Sequence, residues 1–263
     1  MTDVREAARY AALRGGHRWR AIVAVAAGQI FRPDALEITL SGACGVELAH
    51  AASLVLDDLP SMDNAQLRRG KPCTHLVFPS WAVEMAPVFL VTMAYRISLD
   101  NQRASEERRV RAALELSAAG LQMISGQCKD VLQAHAPDKA EQGLLDCYKL
   151  KSGALYAAAA KAGAILCGAS EHEAQCIHAA GLNLGLSYQM LDDVADVVAG
   201  PDEVGKCPGM DAAKWTAVNW LGVEGTRRKS LEFQSKALAA LEGFGASANW
   251  LRELVCEASY KAA

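Results

Sequence analysis

Two clusters of aspartate residues, far apart along the chain, are the part of this sequence that most clearly indicates chemistry. In the second cluster, Asp192 and Asp193 both lie within about one helical turn of Asp196, so a helix would bring the three carboxylates to one edge. Carboxylates about 5 Å apart repel each other by roughly 3 kcal/mol at an effective dielectric constant near 20. Apolar residues flank the cluster on both sides, which favours a bound cation over a solvated acidic surface. Oxygen ligands are typical of Mg²⁺, which takes its remaining ligands from water and phosphate.

The first cluster contains Asp57, Asp58 and Asp63, and a proline lies inside it. Pro60 cannot continue a helix, so the helix that reaches Asp57 must end or bulge there. Asp63 can therefore face Asp57 only if the residues between them loop out. A basic run, 68–71, follows directly. Carboxylates that hold Mg²⁺ next to arginines form a site for a polyphosphate, because the metal takes some oxygens and the guanidinium groups take others.

Other basic residues are spread along the chain. They occur at 17–20, at Lys149 and Lys151, and at Lys206. Each of these elements alone is a weak signal, since a charged run is usually a solvated surface. Together with the two acid clusters, they indicate that more than one diphosphate binds in the same cavity.

The elements that must position these residues are helices, because apolar residues recur at three- and four-residue spacing along nearly the whole chain. The predicted helices cover 3–14, 18–30, 34–58, 79–99, 105–134, 140–151, 152–168, 171–199, 211–222, 227–242 and 247–261. Ser170 and Glu173 have the spacing of a capping box. The sequence contains no alternating strand pattern of useful length and no linker rich in Ser, Gly or Pro. We therefore expect one all-α domain over residues 1–263, a single large helical bundle.

Composition excludes several classes of protein. A net charge of −3 argues against a nucleic-acid-binding protein, which would present a basic face. The apolar stretch 21–30 is too short to span a bilayer, and the stretch 154–170 is interrupted by Lys161, so we expect no membrane span. The 8 cysteines form no CxxC pair, and the N-terminus lacks an apolar signal segment. Both features favour a cytoplasmic protein.

The sequence around the two acid clusters resembles a known family. The segments DDLPSMDNAQLRRGKPCTH (57–75) and YQMLDDVADVVAGPDEVGK (188–206) are similar to the first and second aspartate-rich motifs of the trans-isoprenyl diphosphate synthases, also called polyprenyl synthetases. The resemblance extends from Arg5 to Ala263. The two-residue insertion in the first motif resembles that of bacterial short-chain synthases and plant-type geranylgeranyl diphosphate synthases. The resemblance implies an all-α isoprenoid synthase fold around a deep central cavity, usually as a homodimer.

The resemblance also implies roles for individual residues. An allylic diphosphate would be bound through Mg²⁺, with three ions per active site, and the metal ligands would be Asp57, Asp58, Asp63, Asp192, Asp193 and Asp196. The same diphosphate would be contacted by Arg68, Lys151, Gln189 and Lys206. Isopentenyl diphosphate would be held by His17, Arg20, His50 and Arg69. The implied enzyme is a prenyltransferase that condenses these two substrates.

The departures from the family pattern fall mostly on the isopentenyl side. His17 replaces a lysine that normally binds isopentenyl diphosphate, and an unperturbed histidine is mostly uncharged at neutral pH. Leu56 stands where many members have a histidine, and Ser152 replaces the usual threonine. Ala86-Pro87 takes the place of Gly-Asp.

These departures leave two alternatives open. One is a terpene cyclase on the same scaffold, which would ionise a prenyl diphosphate without isopentenyl diphosphate. The other is a non-catalytic partner subunit of a synthase, against which the retention of all six aspartates argues.

Product length should depend on residues one turn before the first acids. One helical turn rises 5.4 Å, close to the length of one five-carbon unit. Ala52 and Ser53 are both small, so they would not stop a growing chain at the first turn. By resemblance, an aromatic residue there would favour a fifteen-carbon product. We therefore expect geranylgeranyl diphosphate, with farnesyl diphosphate as the next candidate.

Overall fold

The computed structural model describes residues 2–135, 141–198 and 215–260, and helices dominate all three ranges. The α-helices are α1 (Thr2–Leu13), α2 (Trp19–Gln29), α3 (Ala35–Asp57), α4 (Ser80–Leu99), α5 (Glu106–His135), α6 (Glu141–Tyr148), α7 (Ala154–Leu166), α8 (Glu171–Val198), α9 (Ala217–Ala239) and α10 (Asn249–Tyr260). Short 3₁₀ segments, Thr74–Leu76 and Glu242–Ala248, precede α4 and α10. The predicted all-α fold class is confirmed.

The core is built around α7, whose residues are all buried. Its sequence is rich in alanine and glycine, so α2, α5 and α8 can pack closely against it. A Cβ atom on Gly163 would lie 1.9 Å from the carbonyl oxygen of Ala24, so this crossing requires glycine. Lys161, the one charged residue of α7, donates to Glu115 at 2.8 Å, which pairs its buried charge. Helix α7 is thus held by packing against several other helices. The segment that precedes it contributes residues to the candidate site.

Most predicted helix boundaries agree with the structure within a few residues, and the differences have local causes. The predicted helices 140–151 and 152–168 are joined without a break by a π-helical segment, Lys149–Gly153. The predicted helices 211–222 and 227–242 form one element, α9, interrupted at Gly222, where φ is +68°. Residues 211–214 lie outside the described ranges. The capping box predicted at Ser170 is present, because Glu173 accepts from its backbone N–H at 2.8 Å.

A short hairpin was not predicted. Its strands, β1 (Leu67–Arg68) and β2 (Lys71–Pro72), pair in antiparallel fashion. The turn between them places Arg69 at φ +56° and Gly70 at φ +71°, in the left-handed region. Two-residue strands are too short to produce an alternating pattern, so no periodicity in the sequence predicted them.

Two helices, α3 and α4, are long and apolar enough to cross a bilayer by length and composition alone. About half of the most apolar window of α3, 50%, is buried inside the protein, as is 39% of the window of α4. Core helices pass the same test of length and composition. The absence of a membrane span therefore stays a prediction.

Candidate active site

A cavity of about 1200 Å³ lies among the helices, as the resemblance led us to expect. Its walls come from α2, α3, α4, α5, α7 and α8, together with the hairpin and the residues that precede α9. The acids at the C-terminal end of α3 and near the end of α8 line it, and so do apolar residues of α3, α4 and α5 such as Ala52, Pro87 and Leu116. The cavity therefore combines charged groups with an apolar interior.

The first acid cluster is shaped by the end of α3. The helix ends at Asp57, and the backbone N–H of Asp63 returns to the carbonyl oxygen of Asp57 at 2.9 Å. The N–H of Asn64 donates to the carbonyl oxygen of Leu59 at 3.0 Å, which closes the loop around Pro60. Asp57 and Asp63 consequently both line the cavity. The sequence-based expectation that the intervening residues loop out is confirmed.

Asp58, the second acid of this cluster, has a different environment. It is 3% exposed and does not line the main cavity. Arg68 of β1 donates to its carboxylate from Nε at 3.0 Å and from Nη2 at 2.5 Å. This forked ion pair attaches the hairpin to the end of α3. The structure therefore indicates that Asp58 holds Arg68 in place, and a role for Asp58 as a metal ligand stays a prediction from the resemblance.

The second acid cluster differs in part. Asp192 and Asp193 both line the cavity, but Asp193 is only 6% exposed and is surrounded by donors. One oxygen of Asp193 accepts from the Tyr148 hydroxyl at 2.5 Å and from the Ala217 N–H at 2.9 Å. The other oxygen accepts from Nε2 of Gln189 at 2.9 Å. Burial raises the pKa of Asp193 to about 6, and these hydrogen bonds oppose the rise.

Asp196 lies one turn beyond Asp192 on α8 and is half-buried. It is not among the residues that line the cavity. The structure thus brings four of the six predicted aspartates to the cavity wall, Asp57, Asp63, Asp192 and Asp193, and leaves Asp58 and Asp196 outside it.

The resemblance implies that these carboxylates bind Mg²⁺. Among the residues described by the structure, no three Asp, Glu, His or Cys side chains converge closely enough to hold one ion by themselves. Mg²⁺ commonly uses one or two carboxylates and completes its octahedron with water and phosphate oxygens. The acids on the two walls therefore fit Mg²⁺ that binds together with a diphosphate.

A lysine and a further acid lie beside the first cluster. The Lys151 ammonium group donates to Asp130 of α5 at 2.7 Å, and it lies 3.9 Å from a carboxylate oxygen of Asp57. Ser152 donates to the side-chain oxygen of Gln189 at 2.5 Å. Lys151 and Gln189 both line the cavity, and their contact with the allylic diphosphate stays a prediction.

Sequence reasoning missed Asp130 and Tyr148. The i, i+3 spacing of Gln127 and Asp130 on α5 was the available signal for Asp130. Nothing in the sequence marked Tyr148, because its partner Asp193 is 45 residues away.

A cluster of basic side chains lies near the acids. The cavity lining includes His17, Arg20, His50, Arg68 and Arg69. Burial, followed by the charges of Arg20, Arg69 and Arg68, lowers the pKa of His50 well below its ordinary value. His50 is therefore neutral at physiological pH and can donate or accept, while the guanidinium groups supply the positive charge.

Two interactions hold this cluster in place. Arg69 donates to the carbonyl oxygen of Gly15 at 2.9 Å, and Arg18 forms an ion pair with Glu47 at 3.2 Å. Together they attach the segment before α2 to the hairpin and to α3. Lys206, the remaining predicted contact, lies outside the described residues.

Comparison with known proteins agrees with this geometry. A family model described as polyprenyl synthetase matches residues 2–246. Geranylgeranyl pyrophosphate synthase 12, chloroplastic, of Arabidopsis thaliana is 36% identical over 266 residues, which cover 98% of this chain and 73% of the relative. Geranylgeranyl diphosphate synthase of Pantoea ananas is 36% identical over 235 residues, covering 82% of this chain and 76% of that protein.

Solved structures give the same result. A crystal structure of geranyltransferase from Helicobacter pylori, complexed with magnesium and isoprenyl diphosphate, superimposes with a TM-score of 0.87 at 27% identity. The match covers 97% of this chain and 86% of the other. An FPP/GFPP synthase from Zymomonas mobilis gives a TM-score of 0.84 at 28% identity, covering 97% of this chain and 88% of the other.

Proposed function

Since this chain belongs to the polyprenyl synthetase family and is a prenyltransferase, we propose that it condenses isopentenyl diphosphate with an allylic diphosphate to give a longer prenyl diphosphate. One observation carries this proposal. The same cavity presents carboxylates with Lys151 and, nearby, the guanidinium groups of Arg20 and Arg69 around a neutral His50. These are two groups of phosphate-binding residues within reach of one apolar interior.

The allylic diphosphate would bind at the acids. Asp57, Asp63 and Asp192 would hold Mg²⁺, which would neutralise charge on the departing diphosphate when bound. Lys151 and Gln189 would donate to the same diphosphate. From the family resemblance we expect three ions per site. The allylic C–O bond then breaks, and its electron pair leaves with the diphosphate.

Isopentenyl diphosphate would be held at the basic cluster. Arg20 and Arg69 would bind its diphosphate, and His50 would add a hydrogen bond without adding charge. The double bond of the isopentenyl unit attacks the allylic carbon and forms the new C–C bond. A proton is lost to the released diphosphate, which restores the double bond. The apolar lining excludes the water that would otherwise quench the allylic cation.

The experiment that tests this function uses purified protein, Mg²⁺ and labelled isopentenyl diphosphate, with dimethylallyl, geranyl or farnesyl diphosphate as primer. Mass spectrometry should show label in a longer prenyl diphosphate, and chelation of the metal should abolish it. Hydrocarbon without incorporated label would indicate the terpene cyclase instead. Activity that appears only after mixing with a second synthase would indicate the partner subunit.

The structure supports the synthase over the cyclase. A cyclase does not use isopentenyl diphosphate and has no need of a second diphosphate site. Arg20, His50 and Arg69 nevertheless remain together on the cavity wall despite the replacement at His17. A change of His17 to lysine should therefore lower the KM for isopentenyl diphosphate and leave the KM for the allylic substrate unchanged.

The product proposed is geranylgeranyl diphosphate. Ala52 and Ser53 line the cavity one turn before Asp57, and both side chains are small. Ala49, a further turn back, lines it as well. Ala52→Phe should shorten the main product by about one five-carbon unit, because one helical turn matches one unit in length. Mass spectrometry of the Ala52→Phe products checks this, and Ala52→Val is the milder control. An unchanged product from Ala52→Phe would contradict the assigned direction of the chain.

We also propose that the protein is a homodimer. Large apolar side chains are exposed on α4, including Trp81 and Met85, and on α5, including Leu121 and Ile124, the latter two also lining the cavity. Exposed apolar side chains in such numbers are typical of an interface between subunits. Light scattering of the purified protein should give a mass of about twice 28.0 kDa.

A further inference from the structure

Two buried polar groups lie side by side in the wall of the cavity. The side chain of Tyr156 on α7 is 1% exposed, and the guanidinium carbon of Arg20 lies 4.4 Å from the centroid of its ring. Within the described part of the chain, neither the Tyr156 hydroxyl nor Nε of Arg20 has a hydrogen-bond partner. Both residues line the cavity. The cavity wall thus contains two neighbouring hydrogen-bond donors that have no acceptor in the ranges that the structure describes.

Such groups are uncommon in folded proteins, because a buried hydroxyl without a partner loses its hydrogen bonds to water and gains none in return. The two buried acids of the Asp-Asp pairs are satisfied, since Asp193 has three donors and Asp58 has a forked arginine. The Tyr156 hydroxyl, like Oε1 of Gln127, has no such partner among the described residues, and a ligand with acceptor atoms would complete it.

The chemistry of the pair defines that ligand. Burial raises the pKa of Tyr156, so the hydroxyl keeps its proton and acts as a donor. Nε of Arg20 is also a donor. Two adjacent donors require a ligand with several acceptor atoms. The positive charge of Arg20 requires this ligand to be an anion. Glu47, which accepts from the N–H of Ala21, and Asp192 are carboxylates near Tyr156 that the anion would have to avoid.

We propose that Tyr156 is a further substrate-binding residue of this enzyme, whose hydroxyl donates to the diphosphate of isopentenyl diphosphate and whose ring supports Arg20. This inference rests on the proposed function, because that function places isopentenyl diphosphate at Arg20. Tyr156 thereby supplies a contact on the side of the site where His17 replaces the usual lysine of the family.

The test compares Tyr156→Phe, which removes only the hydroxyl, with Tyr156→Leu, which also removes the ring. Tyr156→Phe should raise the KM for isopentenyl diphosphate about tenfold, the value of one hydrogen bond to a charged group, and should leave the KM for the allylic substrate unchanged. Tyr156→Leu should raise it further, because Arg20 loses the ring beneath it. Calorimetric binding of isopentenyl diphosphate alone should weaken in the same order.

Thermal unfolding separates a binding role from a structural one. Removing an unsatisfied buried hydroxyl should leave the Tm of Tyr156→Phe equal to that of the wild type or higher. A fall in the Tm of several degrees would show that the hydroxyl has a structural partner and would overturn the proposal. Tyr95→Phe removes a hydroxyl from another part of the cavity lining and is the matched control, since it should not change the KM for isopentenyl diphosphate.

The remaining outcomes are also decisive. An unchanged KM and affinity for isopentenyl diphosphate in Tyr156→Phe, with an active wild-type enzyme, would overturn this inference and leave the proposed function intact. A rise in the KM for the allylic substrate alone would also overturn it, since the hydroxyl would then serve the other diphosphate. A wild-type protein that neither binds nor consumes isopentenyl diphosphate would overturn the proposed function and this inference together.

Discussion

The two Asp-Asp pairs share a sequence pattern and a division of roles, yet the protein holds them in different ways. In each pair the first acid, Asp57 or Asp192, lines the cavity and is partly exposed, and the second is buried. Asp58 is held by a guanidinium group of the opposite charge. Asp193 is held by a phenol, a side-chain amide and a backbone N–H, all of them uncharged.

This difference shows that one short motif can serve both a site and its scaffold. Neighbouring side chains on a helix point about 100° apart, so two adjacent aspartates cannot both face the same cavity squarely. The first one is left for ligands, and the second connects the helix to another element. Asp58 connects α3 to the hairpin, and Asp193 connects α8 to α6 and to the start of α9.

The largest effect should come from the acids that face the cavity. Asp57→Asn and Asp192→Asn should each lower kcat by about 10²- to 10³-fold, because each removes charge that helps to bind Mg²⁺ on the leaving diphosphate. Their free energies of unfolding should stay within about 0.5 kcal/mol of the wild type, since neither acid is fully buried. Steady-state kinetics and urea unfolding check both expectations. Equal losses of kcat in Asp57→Asn and Asp58→Asn would contradict the division of roles between the two acids of the pair.

A smaller effect, mainly on stability, should come from the buried ion pair. Asp58→Asn keeps one acceptor but leaves the charge of Arg68 without its counterion, and should lower the free energy of unfolding by about 1–3 kcal/mol. A double-mutant cycle with Arg68→Gln, measured by urea unfolding, should give a coupling energy of at least about 0.5 kcal/mol. Additive losses would mean that the pair does not stabilise the junction of α3 and the hairpin.

The smallest effect should come from Tyr148, the neutral partner of the buried acid Asp193. Tyr148→Phe removes one of three donors to Asp193 and should lower the free energy of unfolding by about 0.5–1.5 kcal/mol. Loss of a donor to the ionised form should also raise the pKa of Asp193 above its value of about 6. Urea unfolding and NMR titration of the carboxyl group measure the two quantities. Tyr10→Phe, whose hydroxyl bonds an exposed carbonyl of Pro72, is the control and should leave the pKa of Asp193 unchanged.

Much of the fold could be predicted because its signals are local. The spacing of apolar residues gave the helices, Ser170 and Glu173 gave a cap, and Pro60 gave the loop that returns Asp63 to Asp57. The hairpin and the π-helical segment were missed, since two-residue strands and a single wide turn leave no periodic pattern.

The features of the candidate site also fall into those that the sequence indicates locally and those that it does not. The sequence by itself determined which residue types were present, and the order and spacing of the acids were enough to indicate a metal–diphosphate site. Only the tertiary structure decided which acid of each pair faces the cavity, that Asp130 pairs with Lys151, and that Tyr156 lies beneath Arg20. Partners such as Tyr148 and Asp193 are 45 residues apart, and no local interaction joins them. They meet because the burial of apolar helix faces brings their helices together, and that packing depends on the whole chain at once.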